Sequence, residues 1–286
     1  MPEGDTIFRA ARTLHRALAG KPVVRFESVF PALTRVHVDT PLTAQTIDAV
    51  SASGKHVLMR FSGGLVLRTH MRMNGSWHIY RPHDAWQRPR RDMRIVIATA
   101  DFVAVGFNIP VAEFFPARDL ARHDELRRLG PDLLGETFDA ADALARVKAR
   151  PGETIADVLL NQRVMAGIGN VYKSEVLFAC RVHPFAKVRD VGDAALECLV
   201  TTARRFLLAN VHTSLAPMTT YTGYRRTTGR DNPSERHWVY GRVGLPCRRC
   251  GTPVTIDKQG NDARLTYWCP SCQAGPGGSA PAADAS

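Results

Sequence analysis

No apolar run in this chain of 286 residues approaches the roughly 18–20 residues that a membrane-crossing helix needs. No amphipathic stretch pairs a basic face with a bulky apolar one, so a membrane surface is a poor fit as partner. The start, MPEGDTIFRAARTLHRALAG, lacks a basic segment followed by an unbroken apolar core, and no secretory leader is expected. The expected location is the cytoplasm, at the nucleoid. Cysteine is scarce, with six in all, and thiols stay reduced in that compartment, which argues for metal or free thiols over disulfides. Cys180 and Cys198 lie in apolar helical sequence and read as buried small hydrophobes. No internal repeat is present. Acidic residues are under-represented: 27 Asp and Glu face 38 Lys and Arg, for a net charge of +11. Such a balance favours a polyanionic partner, because each cation placed on a phosphate releases condensed counterions.

Apolar content of 44% is ample for a real core, and the length suggests two domains or one large one. Residues 6–19 carry Ile7, Ala10, Ala11, Leu14 and Leu18 at helical spacing. From about 22 to 115 the pattern becomes short β-rich runs, VVRFESV, HVLMRFS, LVLRTHM, SWHIYR, MRIVIAT and FVAVGF, separated by turn signals. Six or so such strands without a long helix between them predict an antiparallel sandwich or barrel. Inside this region, RPHDAWQRPRRDMR reads as an exposed basic loop. From about 117 to 210 the pattern is helical: ARDLARHDELRRLG, DAADALARVKAR, the pair GETIADVLLNQR and GNVYKSEVLFACR, and DAALECLVTTARRFLLANV. Residues 217–240 are basic without clear periodicity, and QAGPGGSAPAADAS after Cys272 has the composition of a disordered tail.

Three local patterns carry chemistry. Cys247-x2-Cys250 and Cys269-x2-Cys272, eighteen residues apart, can supply four thiolates to one tetrahedral Zn²⁺. PVTIDK and RLTYW between them have the composition of a hairpin, with Lys258 and Arg264 near its tip. A closed four-cysteine site is structural, since no position is left for water. Second, NQRVMAGIGN lets one helix end and another start at Asn170, with Gly167 and Gly169 in the turn. Exposed N–H groups there would suit a phosphate, although an ordinary helical hairpin explains the pattern equally well. Third, Pro2 becomes the chain end once Met1 is trimmed. Its secondary α-amine would titrate near neutrality, several pH units below a lysine, and so be nucleophilic without deep burial. Glu3 beside it could act as general acid or base. Alone, MPEG is a weak signal.

Taken in order, these pieces resemble the Fpg/Nei family, formamidopyrimidine-DNA glycosylase and endonuclease VIII. The carrying segments are MPEGDTIFRAA, SGKHVLMRF, THMRMNG, RLGPDLL, LLNQRVMAGIGNVYKSEVLF, VYGRVGLPCRRCG and RLTYWCPSCQ. They span the chain up to Gln273, and MPEGD looks like the actinobacterial Nei-like branch. The resemblance implies an α+β multidomain fold. An N-terminal antiparallel β-sandwich with flanking helices would occupy residues 1–118, and a helical helix–two-turn–helix domain 119–240. A zinc-finger β-hairpin would follow at 241–273 and a disordered tail at 274–286, with DNA in the cleft between the two domains. It implies a bifunctional DNA glycosylase and abasic-site lyase of base excision repair, with one structural Zn²⁺ on Cys247, Cys250, Cys269 and Cys272, acting on damaged DNA as a monomer. The catalytic set would be Pro2 as nucleophile and Glu3 as proton donor, with Lys55 and Arg264. Lys55, Asn170 and Arg264 would grip the phosphates, and Met73 would fill the gap left by the flipped base. Fpg proteins carry Arg–Arg–Phe–Gly in the sheet, where this chain has DFVAVGFNIPVAEFF: no arginine precedes Gly106, and Phe107 follows it. That departure favours oxidised pyrimidines. The alternatives are an Fpg-type enzyme for 8-oxoguanine and formamidopyrimidines, or a non-catalytic damage-binding protein on the same scaffold.

Overall fold

The computed structural model describes residues 2–211, 225–230, 232–260 and 263–275. The tail from 276 and part of the basic 217–240 segment lie outside these. The chain divides into two compact units, one running to Arg128 and the other beginning at Leu129.

The first unit opens with α1 (Gly4–Leu18), whose Ile7, Ala11, Leu14 and Leu18 form one buried stripe. Next come β1 (Arg25–Ser28), α2 (Pro31–Asp39), β2 (Ile47–Ser53), β3 (His56–Phe61), β4 (Leu65–His70) and β5 (Ser76–Tyr80). β6 (Met93–Ala98), β7 (Val103–Phe107) and β8 (Val111–Pro116) complete eight strands. They form two antiparallel four-stranded sheets, ordered β2-β3-β4-β8 and β1-β6-β7-β5. Val57, Met59 and Leu67 of one sheet, Trp77, Ile79, Ile95, Ile97 and Ala104 of the other, and the α1 stripe share one core, which makes a sandwich rather than a barrel. Alternate residues of the second sheet, Tyr80, Val96, Val103, Val105 and Phe107, bury a separate cluster on its far side. Trp86 from the 81–92 loop covers that cluster, lying against Tyr80 and Phe107. The loop is therefore mostly exposed, as its composition predicts, but anchored by one aromatic.

The second unit follows a short α3 (Asp124–Arg127). The amphipathic helix expected over ARDLARHDELRRLG is replaced by a 3-10 turn and α3, because the chain leaves helical geometry at His123. α4 (Ala140–Lys148) starts on Asp139, whose carboxylate accepts from the Ala141 and Asp142 N–H groups. α5 (Ile155–Leu160), α6 (Asn170–Ala179) and α7 (Asp193–Val211) follow, then the hairpin β9 (Thr255–Gln259) and β10 (Arg264–Trp268). α6 is buried along its length and acts as an internal spine. Its Glu175 carboxylate accepts from the N–H groups of Trp238 (2.8 Å), Val239 (2.9 Å) and Tyr240 (2.8 Å) and from the Thr227 hydroxyl. Four donors satisfy a carboxylate that would otherwise be costly to bury.

One expectation is corrected here. Cys180 and Cys198 are not separate buried thiols but a disulfide. Cys180 ends α6 and Cys198 lies one turn into α7, with Cα atoms 5.9 Å apart, within bridging range. Helical patterning places both cysteines on packed faces without showing that the faces are each other's partner.

Candidate active site and zinc centre

Pro2 is partly buried, and Glu3 and Asp5 are fully buried at the N-terminal end of α1. Negative charge is favoured there by the positive end of the helix dipole. Asp5 is held by Arg9 at 3.0 Å and by the Thr6 hydroxyl. α1 packs on β2 and β3, and Lys55 sits in the two-residue turn joining those strands. The start of the chain and Lys55 thus belong to one packed unit.

Around Lys55 lies a cluster in which cations outnumber anions. His56 and His70 face each other across β3 and β4, their rings 4.9 Å apart. Burial, together with His70, Arg68 and Lys55, pushes the His56 imidazole down to about 3. Burial and then Lys55, Arg72 and Arg68 bring His70 down to about 4. Both rings are therefore neutral at pH 7, which leaves the charge to Lys55 and the arginines. Arg68 is almost wholly buried and spans three partners: the Glu113 carboxylate at 2.5 Å, the Glu125 carboxylate, and His56 Nδ1 at 3.0 Å. His123 also meets Glu113, at 2.8 Å. Burial raises the Glu113 carboxyl, but the pairs with Arg68 and His123 outweigh it and hold the group below its ordinary value.

The neutral histidines make the first unit sensitive to acid. His78, hydrogen-bonded to Ser76 and Tyr80, is likewise pushed down to about 4 by burial and then Arg88. A folded-state pKa below the unfolded value means that the unfolded chain takes up protons first. The stabilisation is complete above about pH 6.5 and is lost as pH falls toward 3–4. Each histidine can steepen the loss by up to about 1.4 kcal/mol per pH unit. Thermal unfolding from pH 7 to pH 4.5 is expected to show a falling midpoint, with a shallower fall in His56→Gln. Parallel curves for the two proteins would remove His56 from this account.

The turn after β4 presents Met73, which is 61% exposed. This turn is rigid: the Arg72 N–H donates to His70 Nδ1 at 3.0 Å and the Gly75 N–H to the Met71 carbonyl at 2.8 Å. A Cβ on Gly75 would sit 2.5 Å from that same carbonyl oxygen, so no larger residue fits without shifting backbone. The backbone of such a fixed turn loses little further freedom when the side chain it carries is buried.

In the second unit, the α6 N-terminus and the hairpin meet. Asn170 Nδ2 donates to the Leu265 carbonyl at 2.6 Å, next to exposed Arg264. The Cys247, Cys250, Cys269 and Cys272 sulfurs all lie within 4.8 Å of one another. Cys250 and Cys269 are 3.5 Å apart and Cys247 and Cys272 3.9 Å. A tetrahedral zinc with bonds of about 2.3 Å requires sulfur separations of about 3.8 Å, so the donor set fits the ion. Burial pushes Cys269 up to about 11 and Cys272 higher still. Ionising these two buried thiols therefore takes a cation beside them. Phe178 of α6 packs directly on this cysteine cluster.

Three family matches tile the chain in order. Residues 1–111 match the formamidopyrimidine-DNA glycosylase N-terminal domain, residues 129–221 its H2TH domain, and residues 244–275 the zinc finger found in FPG and IleRS. The chain is 41% identical over 279 residues to a Streptomyces coelicolor protein named probable endonuclease 8 2, covering 96% of this chain and 95% of that one. The chain belongs to the formamidopyrimidine-DNA glycosylase and endonuclease 8 family. It is also 38% identical to the DNA-(apurinic or apyrimidinic site) lyase Nei2 of Mycolicibacterium smegmatis, covering 96% of this chain and 99% of that protein. Among solved structures, Lactococcus lactis formamido-pyrimidine DNA glycosylase, non-covalently bound to DNA containing an AP site, matches with a TM-score of 0.80 at 21% identity. The match covers 96% of this chain and all of that one, and it shows the shared fold. The α+β architecture expected from the sequence, with its sandwich, helical domain and zinc hairpin, is thus observed. The four clustered cysteines fall within the residues that match the family's zinc finger, a donor set suited to one structural zinc.

Against the Fpg pattern of this family, Phe107 is fully buried in the far-side cluster and cannot reach a base stack. Among the described residues of the first unit, Met73 remains as an exposed apolar side chain on a rigid turn. The histidine and Arg68 cluster around Lys55 went unread in the sequence. His56 and His70 are fourteen residues apart, and only the β3–β4 register joins them.

Proposed function

We propose that this chain is a bifunctional DNA glycosylase and abasic-site lyase of base excision repair that acts as a monomer on damaged DNA in the cytoplasm. The observation that carries the reading is the 41% identity to a probable endonuclease 8 over nearly the whole of both chains. The start Pro2–Glu3, with Glu3 buried at the head of α1, supplies the matching chemistry. Residues 1–118 bear the reacting groups, while 119–240 and 241–273 grip the backbone.

After removal of Met1, the Pro2 nitrogen attacks C1′ of a nucleotide rotated out of the stack. The N-glycosidic bonding pair leaves with the base, the Pro2 nitrogen sheds its proton, and Glu3 protonates O4′ as the C1′–O4′ bond opens to leave an iminium between the Pro2 nitrogen and C1′. The resulting iminium withdraws electrons from C2′. Loss of a C2′ proton then expels the 3′ phosphate by β-elimination, and a second, δ-elimination releases the 5′ phosphate. Lys55, Asn170 and Arg264 hold phosphates, and Met73 fills the vacated space, offsetting part of the unstacking cost of a few kcal/mol.

Oxidised pyrimidines are the favoured substrates, because β7 offers no arginine before Gly106 and sequesters Phe107 in the core. The test is cleavage of duplexes carrying 5-hydroxyuracil, thymine glycol, 8-oxoguanine or an abasic site. Faster cleavage of the two pyrimidine lesions than of 8-oxoguanine is expected. The reverse order would turn the reading to purine repair, and binding with no cleavage of any duplex would reduce the chain to a damage-binding protein.

A further inference from the structure

Lys173 of α6 is completely buried, yet neither the proposed chemistry nor the zinc site uses it. Its Nζ donates to the Thr266 hydroxyl at 2.7 Å and to the Leu265 carbonyl at 3.4 Å, the carbonyl that also accepts from Asn170. The Thr266 hydroxyl then donates to Gln259 Oε1 at 2.7 Å, and Gln259 Nε2 donates to the Thr154 hydroxyl at 2.9 Å. The Thr154 hydroxyl in turn donates to the Asp157 carboxylate at 2.5 Å. Every donor in this series points the same way, from a buried ammonium on α6, through both hairpin strands, to a carboxylate on α5. Hydrogen bonds aligned in one direction polarise and strengthen one another in a low-dielectric interior.

The series is placed to control Arg264. Gln259 is the register partner of Arg264 across the hairpin, and Leu265 and Thr266 are the next two residues along β10. At the tip, Gly260 has φ +64 and a Cβ there would lie 2.8 Å from an Asp157 carboxylate oxygen, so α5 presses directly on the turn. The zinc site fixes only the far end of the hairpin.

We infer that Lys173, Thr266, Gln259 and Thr154 are positioning residues: they pin the tip of the zinc hairpin between α5 and α6 and so set where Arg264 meets a phosphate. The functional half of this inference rests on the proposed function, in which Arg264 grips DNA. The ammonium is the source of the polarisation, and Thr266 is the joint through which it reaches both strands.

The test uses the zinc-loaded full chain and two readouts. For Thr266→Val, amide exchange over residues 255–259 and 264–268 is expected to rise at least about tenfold, because the hydroxyl's bonds to Lys173 and to Gln259 are both lost. Zinc content should stay at one ion per chain, and Thr266→Ser, which keeps the hydroxyl, should exchange like the parent. Unchanged exchange in Thr266→Val would overturn the pinning, whatever the DNA does. For binding to a duplex with an abasic-site analogue, Arg264→Ala should lower the salt slope by about one. Thr266→Val and Lys173→Met should each reproduce that fall, and Lys173→Met combined with Arg264→Ala should add nothing. Additive losses in the double variant, or a parental slope in Thr266→Val, would overturn the link to Arg264. An unchanged slope in Arg264→Ala itself would instead defeat the phosphate role of Arg264 and leave the exchange result to stand alone.

Discussion

A chain that cannot lose the residues ahead of Pro2 is expected to give no borohydride-trapped complex with abasic-site DNA above background. An extension turns the Pro2 nitrogen into an amide, whose lone pair is delocalised into the carbonyl and no longer attacks C1′. The trimmed chain presents a secondary amine with a pKa near 8, partly unprotonated at pH 7. Once bonded to C1′, that nitrogen carries no hydrogen to lose, so the adduct remains a cationic iminium and a permanent electron sink. Pro2→Gly supplies a primary amine, whose imine must be protonated before it withdraws electrons equally well, and trapping should fall well below the parent. Trapping by Pro2→Gly at the parental rate, or by the extended chain at all, would move the nucleophile elsewhere. The lysines are the competitors, so peptide mapping of the trapped adduct decides the matter directly.

Replacing Glu3 with glutamine should cut base excision by about 10²–10⁴-fold, the usual contribution of one positioned acid–base group. Excision needs a proton at the sugar or the departing base, whereas β-elimination from a preformed abasic site starts from an open aldehyde and needs less help. Glu3→Gln should therefore retain a measurable share of the lyase activity. The two activities, compared on one lesion duplex and one abasic duplex, separate chemistry from structure. Because Glu3 is fully buried at the head of α1, a collapse of the helix start would lower both equally, along with the thermal midpoint. Equal loss would thus make Glu3 a structural residue.

Much of the architecture was legible along the chain. Strands β3 to β7 announced themselves because their inward faces are strongly apolar, and β7, together with β6 beyond Arg94, is apolar throughout because both faces of their sheet are covered. Two strands and a helix escaped. β2, IDAVSAS, is a sheet-edge strand of small and polar residues with weak alternation. β8, VAEFFP, is partly buried along its whole length and shows no period of two. α2 has one buried residue, Leu33, so almost no stripe marks it. In each case the element exists because a neighbour supplies the burial or the hydrogen bonds.

The sequence by itself determined the zinc-finger cysteine pattern, the class of fold and the order of its parts, because cysteine spacing and hydrophobic period are local properties. It also named Pro2, Glu3, Lys55, Met73, Asn170 and Arg264 as residues to test. Only the tertiary structure decided the pairings. It joined Cys180 to Cys198, set His56 against His70 with Arg68 behind them, and led a hydrogen-bonded series from Lys173 to Asp157. Each of these rests on which buried faces meet, and burial is what removes the proton from the histidines and makes hydrogen bonds to the Lys173 ammonium indispensable. A one-dimensional pattern shows that a face is apolar; contact with a particular second face, from far along the chain, supplies the chemistry.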